Sequence, residues 1–98
     1  MNIDTLYKYL KLVVPNNLKV VKREKCDAID VGIAPESPFG FIFSDTFKIE
    51  DNLIKVITIS SEVPIYISEI FKERVIQDES KYRTNEYCFK IPKELREN

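Results

Sequence analysis

FGFIFSDTFKIEDNLIKVITIS, residues 39–60, sets the architecture of this chain. Phe39, Phe41, Phe43, Phe47 and Ile49 all occupy odd positions. That is the period of two of a strand with one buried face. A two-residue hairpin at Ser44-Asp45 would pair residues 43 and 46, turning Thr46, Lys48 and Glu50 to the side of the phenylalanines. A single strand from Phe39 to Glu50 keeps the aromatics together and is the expected arrangement. It places Asp45 on the apolar face, a cost to be relieved by a bulge or by that end reaching past the core. Asp51-Asn52 then makes a hairpin turn, since both residues tolerate positive φ. Leu53 to Ser60 is the returning strand. Leu53, Ile57 and Ile59 take one face, and Ile54 and Val56 take the other. A strand apolar on both sides belongs inside a sheet.

Upstream, Ile3, Leu6, Tyr7, Leu10, Val13 and Val14 recur at helical spacing. Asn2 can cap that helix, Asp4 suits the positive end of its dipole, and Pro15 stops it. Asn16-Asn17 turns the chain into a strand over residues 18–24. Residues 28–34 form a second strand, in which Ile29, Val31 and Ile33 alternate with Asp30 and Gly32. Pro35 to Pro38 reads as a turn.

Downstream, Ser60-Ser61 can cap a second helix carrying Val63, Ile67, Ile70, Phe71 and Val75, ending at residues 77–80. Residues 63–67 also suit an extended segment, with the helix starting near Ser68. Residues 86–91 make a last strand with Tyr87, Phe89 and Ile91 inward. Pro92 closes it, and residues 93–98 are a polar tail. The expected fold is α+β, a single small domain over residues 1–98. Its elements run α-β-β-β-β-α-β, in a mainly antiparallel five-stranded sheet with two helices on one face. The last strand lies parallel beside the fourth, through a right-handed crossover.

The composition is that of an ordinary globule: 44% hydrophobic, 32% charged, net charge −1. Two cysteines, Cys26 and Cys88, make no disulfide framework, and both are expected as small buried thiols. Met1-Asn2-Ile3-Asp4 has neither a basic nor an apolar leader region, and no run is long enough to span a membrane. A cytoplasmic protein with no membrane partner is the expectation. Abundant Ile, Lys and Asn suggest an AT-rich genome, bacterial or viral.

The chain has no histidine and only two glycines, Gly32 and Gly40. Histidine is the side chain that titrates near neutrality unaided and the commonest transition-metal ligand. Glycine builds the backbone cradles that hold phosphates. Metal sites, activated nucleophiles and nucleotide loops are therefore not expected, and the expected cofactor is none. Cys26, Asp27 and Asp30 superficially resemble a metal cluster, but Asp30 reads as part of a solvated strand edge. Carboxylate-only hydrolysis is the one enzyme class left. Its nearest sequence sign is the acid-x-Lys step Glu79-Ser80-Lys81, which falls after the second helix and off the expected strands.

Charge is distributed unevenly. Residues 1–25 carry +4, residues 26–80 carry −7 and residues 81–98 carry +2. Lys19, Lys22, Arg23 and Lys25 form a basic cluster that either grips phosphates or guards an edge strand. Asp45, Glu50, Asp51, Glu62, Glu69 and Glu73 form the acidic set, with Glu69 and Glu73 expected on one helix face. The function expected is non-enzymatic binding of a protein partner through that acidic surface. An inhibitor, immunity or anti-defence factor facing a basic, nucleic-acid-handling protein fits. The alternatives are nucleic-acid binding through the basic cluster, or a structural subunit that self-assembles through a spare strand edge.

Overall fold

The structure, a computed structural model, describes residues 1–35, 44–59, 65–81 and 84–96. Helix α1 spans Ile3–Val13, and the Asn2 side chain accepts a hydrogen bond from the Thr5 N–H at 2.9 Å. It buries Ile3, Leu6, Tyr9 and Leu10. Tyr9, and not Tyr7, is the buried tyrosine, and its hydroxyl donates to the Ile70 carbonyl at 2.5 Å. Strands β1 (Lys19–Lys22), β2 (Ile29–Gly32), β3 (Ser44–Glu50) and β4 (Leu53–Thr58) follow. Then come α2 (Ile65–Phe71), β5 (Val75–Lys81), β6 (Thr84–Lys90) and a 3-10 turn at Lys93–Leu95.

The fold is α+β, with an antiparallel sheet in the order β1-β2-β3-β4-β6-β5. The first four strands form the expected meander. Asp51 and Asn52 take φ of 51° and 61°, the left-handed pair a tight hairpin demands. Ser44 and Asp45 lie within β3, paired with Gly32 and Val31, so no hairpin interrupts the strand there. The expected stretch 39–43 of that strand lies outside the described residues. β4 sits between β3 and β6, with Ile54 and Val56 fully buried, as its two apolar faces required.

The sheet has six strands among the described residues, not five. The second helix stops at Phe71, where the Lys72 N–H still reaches the Ser68 carbonyl at 3.0 Å but Lys72 itself takes φ 53°. A lysine in the left-handed position carries none of the usual glycine or asparagine signal for a helix end. The helical stripe therefore ends before Val75, and Val75–Lys81 pairs with β6. This reverses the direction expected of the last strand. β6 is antiparallel to β4, and β5, antiparallel to β6, is the strand that runs parallel to β4. The strand–helix–strand crossover exists, but it leads to β5 and leaves a gap that β6 fills. The helix begins at Ile65, three residues before Ser68; its proposed cap at Ser60-Ser61 lies outside the described residues.

The register assigns each side chain to a face. One face carries Val20, Ile29, Val31, Phe47, Ile49, Ile54, Val56, Tyr87 and Phe89. Both helices cover it. Phe71 of α2 meets Phe47 and Phe89 edge-on, with ring centroids 5.9 and 5.4 Å away. Leu95 of the 3-10 turn packs on the same core, so the polar tail is anchored up to Arg96, which pairs with Glu73. Asp45 shares this face, as the pattern required. The Tyr66 hydroxyl donates to its Oδ2 at 2.6 Å, a hydrogen bond that relieves the cost for which a bulge or an end reaching past the core was expected.

Candidate binding surfaces of the sheet

The opposite face carries Asp30, Thr46, Lys48, Glu50, Leu53, Lys55, Ile57, Glu79, Glu86, Cys88 and Lys90. Among the described residues no helix lies on it, and it holds no aromatic side chain. Its charges alternate in sign along the strands.

At the β3–β4 turn, Glu50, Asp51, Leu53, Lys55, Glu79, Glu86 and Cys88 line a pocket of about 90 Å³. Cross-strand pairing brings them together: Lys55 lies opposite Cys88, and Glu79 opposite Glu86. Lys55 Nζ sits 2.6 Å from Glu50 Oε2 and 3.6 Å from Glu86 Oε2. The hydrogen bond to Glu50, then the charge of both glutamates, raises the Lys55 pKa above its ordinary value. Asp51 and Glu79 make no ion pair among the described residues. Four carboxylates thus face one ammonium, with Lys48 and Lys90 on the same face nearby. Burial pushes the Cys88 thiol up, away from the reactive thiolate.

The six acidic residues singled out in the sequence do not converge. Glu50 and Asp51 share this pocket. Asp45 is on the helix-covered face, held by Tyr66. Glu69 is exposed on α2. Glu73 follows the helix and pairs with Arg96, so it is not the i+4 companion of Glu69. Glu62 lies outside the described residues. Glu79, Glu86 and Lys55 complete the pocket, and their grouping depends on a β4–β6–β5 register that no local pattern specifies. The acid-x-Lys step at 79–81 lies on β5, not off a strand as expected.

The basic cluster is partly neutralised within the chain. Lys22 pairs with Asp4 of α1. Arg23 grips Asp30 with two bonds, Nε to Oδ2 at 2.8 Å and Nη2 to Oδ1 at 3.0 Å. The Thr46 hydroxyl donates to the same carboxylate at 2.7 Å. Asp30 is therefore buried and triply bonded, and is not a solvated edge residue. This clamp ties β1, β2 and β3 together. Lys19 and Lys25 stay exposed. Cys26 is exposed as well, contrary to the expected burial of both thiols, because it sits in the β1–β2 turn; Cys88 is buried and both are free.

Among the described residues there is no group of three or more His, Cys, Asp or Glu side chains arranged to hold a metal ion. No helix is long and apolar enough to cross a membrane. Compared with known proteins, the chain matches no family model, no curated protein and no solved structure.

Proposed function

We propose that this protein acts by binding a protein partner on the helix-free face of its sheet, centred on the pocket at the β3–β4 turn. The observation that carries the reading is the gathering of Glu50, Asp51, Glu79 and Glu86 around the single Lys55. Such a surface favours a partner with basic side chains placed to match, and its alternating signs penalise partners that do not. A rigid sheet backed by two helices suits an inhibitor, immunity or anti-defence factor, which needs one complementary surface and no reacting group.

Two further observations support binding over chemistry. Among the described residues, the pKa shifts move groups away from neutrality: Asp4 down, and Lys22, Arg23, Lys55, Tyr9, Tyr66 and Cys88 up. A general acid or base works best with its pKa near the operating pH. In the pocket, Lys55 already pairs with Glu50 and Glu86. Stacking of single-stranded nucleic acid on this face is disfavoured by its lack of aromatics among the described residues.

The test is affinity capture from bacterial lysate at low salt, comparing the native chain with a double variant, Asp51→Asn and Glu79→Gln. Both substitutions spare the Lys55 ion pairs, and asparagine tolerates the left-handed turn position. A specific protein retained by the native chain and lost by the variant supports the reading. Equal retention by both, or no specific protein, contradicts it. Thermal stabilisation by magnesium or manganese would favour carboxylate chemistry instead.

A further inference from the structure

A second surface lies at the other side of the sheet, along the edge of β1. Among the described residues β1 pairs only with β2. The Arg23 N–H donates to the carbonyl of Ala28, directly opposite it in the continued β1–β2 register. Antiparallel pairs alternate between bonded and non-bonded positions. Lys19, Val21 and Arg23 therefore bond inward to β2, and Val20 and Lys22 point their backbone N–H and C=O groups outward. Beside this edge, Lys11, Val14, Pro15, Asn16, Leu18 and Val20 line a groove of about 140 Å³ between the end of α1 and β1. Asp4 and Lys22 close the seam at its far end.

We propose that the β1 edge and this groove together take an extended acidic peptide segment of a partner protein, added to the sheet as a further strand. The site is distinct from the pocket at the β3–β4 turn, at the opposite side of the sheet, and does not depend on it. The outward groups of Val20 and Lys22 supply main-chain hydrogen bonds to the incoming strand. A peptide residue opposite Val20 projects onto the helix-covered face, where the groove accepts an aliphatic side chain. Its neighbours project onto the open face, one of them beside Lys19.

Charge selects the sign of the peptide. Lys22 and Arg23 are engaged by Asp4 and Asp30. Lys19 and Lys25 make no ion pair among the described residues, and Lys11 rests over the Tyr7 ring with its nitrogen 5.2 Å from the centroid. These cations favour glutamate and aspartate in the added strand. They also oppose a second copy of the same edge. In an antiparallel β1–β1 pair centred on Val21, Val20 would face Lys22 and Lys19 would face Arg23 of the other chain, and such charges are the usual protection of an edge strand.

The test uses a fluorescein-labelled, capped nonapeptide alternating glutamate and valine, read by fluorescence anisotropy against the full chain. A lysine–valine peptide and a short labelled oligothymidine are the comparisons. The account expects the glutamate peptide to bind and the other two not to. Val20→Pro removes an outward donor without breaking a β1–β2 bond, a place where an edge strand tolerates proline. Loss of that one hydrogen bond lowers affinity about tenfold. Lys19→Glu weakens binding as well. Should Val20→Pro not fold, hydrogen exchange on the unaltered chain gives the same reading: the Val20 and Lys22 amides slow when the glutamate peptide is added. No binding of that peptide, equal binding of the lysine peptide or the oligothymidine, unchanged affinity in folded Val20→Pro, or unchanged exchange at both amides would overturn the proposal.

Discussion

Replacing Phe71 by alanine tests the assignment of the two sheet faces, on which both proposed binding surfaces depend. Phe71 is 2% exposed and is the side chain that joins α2 to the sheet, edge-on to both Phe47 and Phe89. Truncating a buried phenylalanine to alanine costs about 3–5 kcal/mol. Each edge-to-face contact is worth roughly 0.5–1.5 kcal/mol beyond area, so losing two of them places Phe71 in the upper half of that range. A domain of this size has about 5–15 kcal/mol in total. Each kcal/mol moves its melting temperature by about 4–8 °C, so the variant should melt some 16 °C or more below the native chain. Ile57→Ala is the companion. Ile57 is half-buried on the helix-free face, and its truncation should cost no more than about 1.5 kcal/mol. Urea titration followed by circular dichroism measures both, with equal m-values required for the comparison. A loss below about 1 kcal/mol at Phe71, or equal losses at the two positions, would refute the allocation of faces.

Tyr66→Phe should cost about 1–3 kcal/mol, because it leaves Asp45 on the covered face without its donor. In a double-mutant cycle the cost should largely vanish once Asp45 is also replaced by alanine; additive losses would count against the pair. The stabilisation from Lys55 should be alkaline-sensitive. Its folded pKa lies above the unfolded value of 10.5, so the contribution is complete below that pH and fades as pH rises through the higher folded value. The melting-temperature gap between native and Lys55→Met should therefore hold steady from neutrality up to that point and shrink beyond it; a gap that shrinks between neutral and mildly alkaline pH would be wrong. In a thiol-labelling assay on the native protein, Cys26 should react promptly and Cys88 only on unfolding; rapid labelling of both would contradict the burial of Cys88.

Local patterns carried the first half of the fold and failed where a single backbone angle decides. The shared face of Phe47 and Ile49, the Asp51-Asn52 turn and the two-sided apolar character of β4 were all legible, because each is a short-range consequence of strand period or turn chemistry. The end of α2 was not. Val75 extends the helical stripe of Ile67, Ile70 and Phe71, and only the left-handed Lys72 ends the helix before it. That one residue turns an expected helix tail into β5 and reverses β6. The acidic pocket was hidden by the same error. Glu79 reaches Glu86 only if residues 75–81 form a strand, and Lys55 reaches Glu86 only if β6 is antiparallel to β4. The neutralisation of Lys22 and Arg23 was equally unreadable, since their partners come from α1 and β2 through tertiary packing.

The central claim is that a partner docks on the helix-free face beside Lys55. Site-specific photo-crosslinking tests it most directly. A photoreactive phenylalanine analogue replaces Leu53, in the pocket, in one sample, and Leu12, 85% exposed on the outer side of α1, in the other. Each is irradiated in lysate at low salt. The account predicts one protein adduct formed from position 53, absent from position 12 and suppressed by Asp51→Asn with Glu79→Gln. An adduct from position 12 alone, or the same adduct from both positions, would contradict it.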